Sequence, residues 1–424
     1  MSSNVDSTIH ASSFLTAAQA CRLLGIRPAT LYSYVSRGLL ESHPAEKAGR
    51  KRRYARDDVV RLKARHDARS GHAPVAASAL RWGEPVLDSA VTEITPDGPS
   101  YRGRLAIDLV RAGEPFESVA ELLWTGALPG AHPAWPAPAR FGRVPTGPGA
   151  RTPLPRLPAL LSAIAAGDET RFAVAGDREL ARARAIVAAL PFIVSPERYG
   201  RASRTGAIAV RICELIGRGA TDARVRAVDA ALVASADHEL NVSSFATRVV
   251  ASAGADLHAC LAAAAAGLTG PLHGGANDRV EGLLDDIGRV GSAQRALEAR
   301  ARRGEPLPGL GHTLYPGGDP RATALLEVAA RLANKDETVR LLRSVARAGD
   351  RYFGLRPTLD LGLVAVASAL GAPRGTAGAF FAIGRSAGWV AHVIEQREAG
   401  HLLRPRARYV GASVVNLRSG RAGP

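Results

Sequence analysis

Between residues 181 and 397 the apolar side chains recur every three to four positions in eight successive segments, and they scarcely alternate anywhere. That period belongs to helices buried along one face, so most of the chain must form a helical assembly. The segments are 181–194, 205–216, 222–235, 244–268, 322–334, 336–347, 361–370 and 376–397. One early stretch departs: Val91-Thr92-Glu93-Ile94 alternates and runs into Pro96-Asp97-Gly98, which predicts a small hairpin. Residues 129–158, rich in Pro and Gly, predict a loop or broken short helices. With 424 residues and 46% hydrophobic side chains, the chain has apolar surface for a large core and too much length for one compact unit. The expected class is all-α, in more than one domain.

The formal net charge of +16 calls for anionic partners, and it is unevenly spread. Residues 1–71 hold 13 basic and 6 acidic side chains, about four times the density of positive charge in the remainder. Their apolar residues still keep a helical period, which predicts a folded basic domain over 1–71 and a polar linker over 72–82. Cys21, Cys213 and Cys260 are isolated and odd in number, which argues against a disulfide framework or zinc ribbon. The first residues lack the basic start and apolar run of a signal peptide, and residues 257–277 contain two His and a Gly-Pro step. A cytoplasmic protein without membrane association is therefore the expectation.

In the basic segment, Thr16-Ala17-Ala18-Gln19 has the pattern of a capping box, opening a helix over 17–24 that stops near Gly25. Pro28 then opens a second short helix closed by Gly38, and Arg50-Lys51-Arg52-Arg53-Tyr54 follows as a basic wing. Two short helices joined by a tight turn predict a helix-turn-helix, with Thr30 and Tyr32 on the second helix as base-edge candidates and Arg50, Lys51, Arg52 and Arg53 as phosphate candidates. Through Ala17-Ala18-Gln19-Ala20, Leu24-Gly25-Ile26, Ala29-Thr30-Leu31-Tyr32 and Arg53-Tyr54, the segment resembles the MerR-like and excisionase-like winged helix-turn-helix family. The resemblance implies duplex DNA as a partner; a helical docking domain without a DNA site is the alternative.

Further along, His238-Glu239-Leu240-Asn241 opens like a zinc motif, but Val242 stands where the second His ligand belongs, and no metal site is expected. The runs 270–277 and 309–312 each set a His, His273 and His312, beside glycines; neither has the Lys-Ser/Thr of a nucleotide loop. Glycines let a backbone approach a ligand closely, so both His are candidate donors to a developing oxyanion. Arg321, Arg385 and Arg404 are suited to bidentate contact with carboxylates. Asp360, between Leu359 and Leu361, has an apolar context that would raise its basicity. Base, oxyanion donors and carboxylate clamps together suggest carbon-acid chemistry on a polycarboxylate.

The order of these pieces, with Tyr101-Arg102-Gly103, Glu121-Leu122-Leu123-Trp124 and Thr247-Arg248-Val249-Val250-Ala251-Ser252, resembles citrate synthase over about 92–411. The resemblance implies a two-domain, all-α citrate synthase fold behind the helix-turn-helix, with a large domain over 83–273 and 369–424 and a small domain over 274–368 that closes on oxaloacetate. It implies condensation of acetyl-CoA with oxaloacetate and water, giving citrate and CoA, without a resident cofactor. Asp360 would take the methyl proton, His273 would hydrogen-bond the thioester oxygen and His312 would polarise the ketone. His238, Arg321, Arg385 and, from a partner subunit of a homodimer, Arg404 would hold oxaloacetate, with Leu310 and Gly311 near CoA. The wording departs at Thr313, at Tyr315-Pro316-Gly317-Gly318 and around Thr358-Leu359-Asp360, which leaves propionyl-CoA and 2-methylcitrate open. A DNA-binding regulator using the same fold as a metabolite sensor is the other alternative.

Overall fold

The computed structural model describes residues 14–37, 39–44, 52–56, 58, 59, 62, 87–137, 152–173, 176–199, 202 and 206–406. The chain divides into two compact units, Met1–Asp88 and Ser89–Pro424.

In the first unit, strand β1 (Phe14–Thr16) leads directly into helix α1 (Ala17–Leu24), followed by α2 (Pro28–Ser36), β2 (His43–Pro44) and β3 (Arg52–Ala55). The capping box forms as its sequence predicts: Gln19 N–H donates to Thr16 Oγ1 at 3.3 Å, and Thr16 N–H donates to Gln19 Oε1 at 2.9 Å. Strand β3 pairs antiparallel with both others, aligning Leu15 with Tyr54 and His43 with Arg53. Leu15, Leu24, Leu31, Leu40 and Tyr54 close a small core of their own. The expected stop at Gly38, the wing residues Arg50 and Lys51, and the linker over 72–82 lie outside the described residues.

The second unit opens with the predicted hairpin, β4 (Thr92–Thr95) and β5 (Gly98–Tyr101), its two-residue turn being Pro96-Asp97, and β6 (Arg104–Leu105) adds an edge. Helices follow: α3 (Ala106–Ala112), α4 (Phe116–Thr125), α5 (Leu157–Ala166), α6 (Gly176–Ala189), α7 (Ile208–Leu215), α8 (Asp222–Ser235), α9 (Val242–Ser252) and α10 (Leu257–Leu268). Then come α11 (Ala276–Val290), α12 (Ala293–Arg302), α13 (Pro320–Ala333), α14 (Glu337–Phe353), α15 (Leu359–Ala369) and α16 (Thr376–Ala399). The buried helix α16 packs on α8, α9 and α4, while α13 packs on α15. No helix among the described residues is long and apolar enough to cross a membrane.

Three expectations need correction. The single helix over 244–268 is two helices, because Gly254 takes φ +79° and the Asp256 carboxylate caps α10 by accepting from Ala259 N–H. The helix expected over 181–194 begins at Gly176 and tightens into a 3-10 turn, Leu190–Ile193, at Pro191, which has no N–H to continue the ladder. In the second unit, helices α3, α4, α5, α11 and α12 lie outside the periodic segments.

Candidate active site

Six of the residues singled out in the sequence, His238, His273, His312, Arg321, Asp360 and Arg385, converge in the second unit. The rings of His238 and His312 meet edge to face with centroids 5.7 Å apart, and Tyr315 packs against both at 5.6 and 5.0 Å. Arg321 lies over the Tyr315 ring at 5.7 Å; Arg385 lies over Phe381 at 4.6 Å, and that ring is 5.9 Å from His273. Asp360 lies within electrostatic reach of Arg321 and Arg385.

Local sequence explains each placement. His238 stands in the turn after α8, where Glu239 takes φ +56° and donates its N–H to Asp237 Oδ2 at 3.2 Å. Asn241 ends that turn by capping α9, its Oδ1 accepting from the N–H groups of Ser243 and Ser244. His273 sits in the glycine turns between α10 and α11. The Gly309–His312 loop is tied to the chain entering α15: Thr358 N–H donates to the Gly309 carbonyl at 2.9 Å, Gly311 N–H to the Arg356 carbonyl at 2.8 Å, and Leu310 bridges Pro357. His312 and Asp360 thus share one short antiparallel clip. Helix α16 approaches the end of α8 so closely that a Cβ on Gly388 would lie 2.1 Å from Asp237 Oδ1. That approach delivers Arg385, whose Nε–H donates to the Ser235 carbonyl at 2.8 Å.

The electrostatics favour an anionic guest. Arg321 is fixed by Asp319, to which Nε and Nη2 donate at 3.0 and 2.8 Å, and Nη1 donates to the Ala234 carbonyl at 3.3 Å. Arg385 is 2% exposed, yet only its Nε–H has a hydrogen-bond partner among the described residues. A guanidinium removed from water with its terminal donors unengaged is costly unless an anion completes it. Burial, with the nearby arginine charges, pushes His238 well below the usual imidazole range. Burial and then Arg385 push His273 down to about 4, and burial lowers His312 as well. The three rings are therefore neutral near pH 7. Burial raises the Asp360 carboxyl above its ordinary value, against the Thr358 hydroxyl that donates to Oδ2 at 3.3 Å.

Several residues escaped the sequence reading. The Ser243 hydroxyl lies 2.9 Å from His273 Nε2 and 2.7 Å from Asn241 Oδ1, and accepts from Trp389 Nε1–H at 3.0 Å. Tyr315 brings its hydroxyl 2.8 Å from His238 Nε2. The polar cap Asn241-Val242-Ser243 was the one local signal for this group. Arg404, by contrast, lies exposed beyond α16 without a hydrogen bond or ion pair to the other six. Leu310 is buried in the clip and Gly311 is exposed beside it. In the first unit Thr30 is half-buried, while Tyr32, Arg52 and Arg53 are exposed.

A helical bundle that gathers a raised carboxylate, lowered imidazoles and buried guanidinium groups around one point is a candidate site for acid-base chemistry on an anionic ligand. The chain belongs to the citrate synthase family: the family model described as citrate synthase, C-terminal domain, matches residues 79–406, and a helix-turn-helix domain model matches 14–67. A Bacillus subtilis protein named citrate synthase 2 is 37% identical over 200 residues, 46% of this chain and 54% of that protein. The Haloferax volcanii citrate synthase is 31% identical over 340 residues, 73% of this chain and 89% of that one. The first-ranked curated relatives are matched over only about half of their length, 54%. Among solved structures, citrate synthase of Thermoplasma acidophilum, in a ternary complex with carboxymethyl coenzyme A and oxaloacetate, superposes with a TM-score of 0.70 at 25% identity, covering 80% of this chain and 96% of that one. The architecture is thus an all-α citrate synthase fold preceded by a helix-turn-helix domain.

Proposed function

We propose that this protein condenses acetyl-CoA with oxaloacetate and water to give citrate and CoA. The observation that carries the reading is Arg385, a buried guanidinium with unengaged donors, set among neutral imidazoles and a raised carboxylate. Arg321 keeps one N–H free on each terminal nitrogen, and with Arg385 and His238 it would hold the oxaloacetate carboxylates. Arg404 would be added from the second subunit of a homodimer, and residues 274–368 would close over the bound oxaloacetate to exclude water.

Asp360 removes a proton from the acetyl methyl group, and His273 shares the charge that develops on the thioester oxygen. The Ser243 hydroxyl donates its one hydrogen to Asn241 Oδ1 at 2.7 Å and lies 2.9 Å from His273 Nε2, so a thioester donor on Nδ1 requires that hydrogen to turn to Nε2. With that turn the ring proton would sit on Nδ1, the nitrogen left for the thioester. His312 is fixed in the opposite sense, because Leu314 N–H donates to its Nδ1 at 3.1 Å and leaves Nε2–H as the donor. That proton polarises the oxaloacetate ketone and passes to its oxygen as the enol carbon attacks. Water then cleaves the citryl thioester, releasing CoA thiol and citrate.

Mass spectrometry of the products tests this reading: citrate from acetyl-CoA supports it, 2-methylcitrate formed with a higher kcat/KM from propionyl-CoA would replace it, and no carbon–carbon bond formation would end it. For the first unit, the exposed Tyr32, Arg52 and Arg53 support contact with duplex DNA. Binding should weaken steeply as salt rises and on replacing Arg50, Lys51, Arg52 and Arg53 by Ala; salt-independent binding would favour protein docking instead.

A further inference from the structure

One face of α16 carries Arg385, Gly388, His392 and Glu395 in order, at the spacings of three and four residues that stack side chains along a helix. Gly388 sets this face against the turn after α8, its N–H donating to the Ala236 carbonyl at 2.9 Å. His392 is completely buried and lies between two carboxylates: Nε2 is 3.4 Å from Asp237 Oδ2, and Nδ1 is 3.8 Å from Glu395 Oε2. Neither ring nitrogen has a nearer hydrogen-bond partner among the described residues. The two carboxylates do not need the ring equally. Glu395 already accepts from Arg248 Nη1 at 2.7 Å and from Ala90 N–H at 2.6 Å. Asp237 is completely buried, its Oδ2 accepts from Glu239 N–H, and its Oδ1 has no hydrogen-bond partner among the described residues. A carboxylate removed from water in this way draws on whatever donor or cation can reach it. Two are close: His392, and Arg385, the guanidinium whose terminal donors are unengaged. Burial alone would raise the Asp237 carboxyl; His392 first, and Arg385 after it, hold it below its ordinary value.

We infer that His392 is a positioning residue: by holding Asp237 it keeps that carboxylate from capturing Arg385, and so leaves the guanidinium open for a carboxylate of oxaloacetate. The inference rests on the proposed role of Arg385 as an oxaloacetate clamp. His392 acts through Asp237 and not on the substrate. The same contact steadies the turn in which His238 follows Asp237, a turn already tied down by the Tyr101 hydroxyl, which donates to the Asp237 carbonyl at 3.2 Å. Glu395, held by Arg248 of α9, fixes the other side of the ring, so that the imidazole has little freedom to leave Asp237.

Calorimetric titration of the full chain with oxaloacetate tests this, with melting temperatures to show which variants fold. His392→Gln keeps an amide near the place of Nε2, whereas His392→Asn keeps one near Nδ1 only, so the pair separates the Asp237 contact from the Glu395 contact. His392→Asn should bind oxaloacetate about tenfold or more weakly, with a matching rise in KM and little change in kcat at saturation, and His392→Gln should lose less. Adding Asp237→Asn to His392→Asn removes the charge that competes for Arg385 and should restore most of the affinity, which a loss of packing around the ring would not allow. A folded His392→Asn variant with native affinity overturns the inference, as does a loss that persists in the double variant. Should His392→Asn not fold by itself, the double variant decides: near-native affinity supports the competition for Arg385, and affinity about tenfold below native contradicts it. Binding needs no turnover, so the two readings fail separately. A chain that shows this pattern of affinities but forms no citrate sinks the condensation reading alone, and citrate formed by a native chain whose His392→Asn variant is unimpaired sinks this inference alone.

Discussion

Ser243→Ala separates a structural from a chemical contribution at the thioester donor. The hydroxyl meets the buried Trp389 Nε1 at 3.0 Å, the half-buried His273 Nε2 at 2.9 Å and Asn241 Oδ1 at 2.7 Å. Trp389 is fully buried, so its indole N–H would be left without an acceptor, a loss of about 1–3 kcal/mol in stability. The effect on turnover is bounded on two sides. Losing one neutral hydrogen bond that orients an imidazole costs roughly tenfold, and losing an oxyanion donor altogether costs about 10²- to 10³-fold. Because His273 remains and only its tautomer and orientation are released, kcat should fall by about 10- to 100-fold with the KM for oxaloacetate unchanged. Thiol release under saturating substrates reads kcat, and thermal melting reads the stability loss. A variant that melts earlier yet keeps full kcat would refute the assignment of His273 Nδ1 as the donor, leaving Ser243 a purely structural partner of Trp389.

Gly388→Ala should lower the melting temperature and weaken oxaloacetate binding by about tenfold or more, since its Cβ would meet Asp237 Oδ1 at 2.1 Å and push α16 and Arg385 away from α8; calorimetry with oxaloacetate checks it. His238, His273 and His312 are all lowered below their unfolded value, so their contribution is present above about pH 6.5 and is lost as pH falls, for His273 through about 4; melting temperature measured between pH 7 and 4 should fall accordingly. Asp229 works in the opposite direction: burial and then Glu117 push it up to about 8, so folding takes up a proton there and stability is lost as pH rises from about 4 through 8. Asp229→Asn should therefore raise the melting temperature at pH 8, with the gain vanishing near pH 4.

What the sequence disclosed was what neighbours along the chain decide. The Thr16–Gln19 cap, the Pro96-Asp97 turn and the amphipathic period of most helices are local, and each formed where its residues predicted. The break at Gly254 was equally local, in a run of small residues whose helical period continues through it. Helix α11 escaped because it starts directly behind the glycines that place His273, and those read as loop. Ser243 and Trp389 are 146 positions apart, and no spacing rule joins them. The same holds for Arg385 and Ser235, brought together only because Gly384 and Gly388 admit α8 so closely. Arg321 was legible as a cation, whereas its capture by Asp319 two residues earlier required the fold. Arg404 marks the remaining distance: its expected role needs a second subunit, and within one chain it meets none of the others.

The central claim is that Asp360, raised by its burial, is the base of an oxaloacetate-dependent condensation. The most direct measurement is release of free CoA thiol from acetyl-CoA, with and without oxaloacetate, by the native chain and by Asp360→Asn. Thiol release that requires oxaloacetate, and that drops by about 10²- to 10⁴-fold in the variant while calorimetry still detects oxaloacetate binding, is the predicted result. Equal thiol release by the variant, or none from the native chain with oxaloacetate bound, would contradict it.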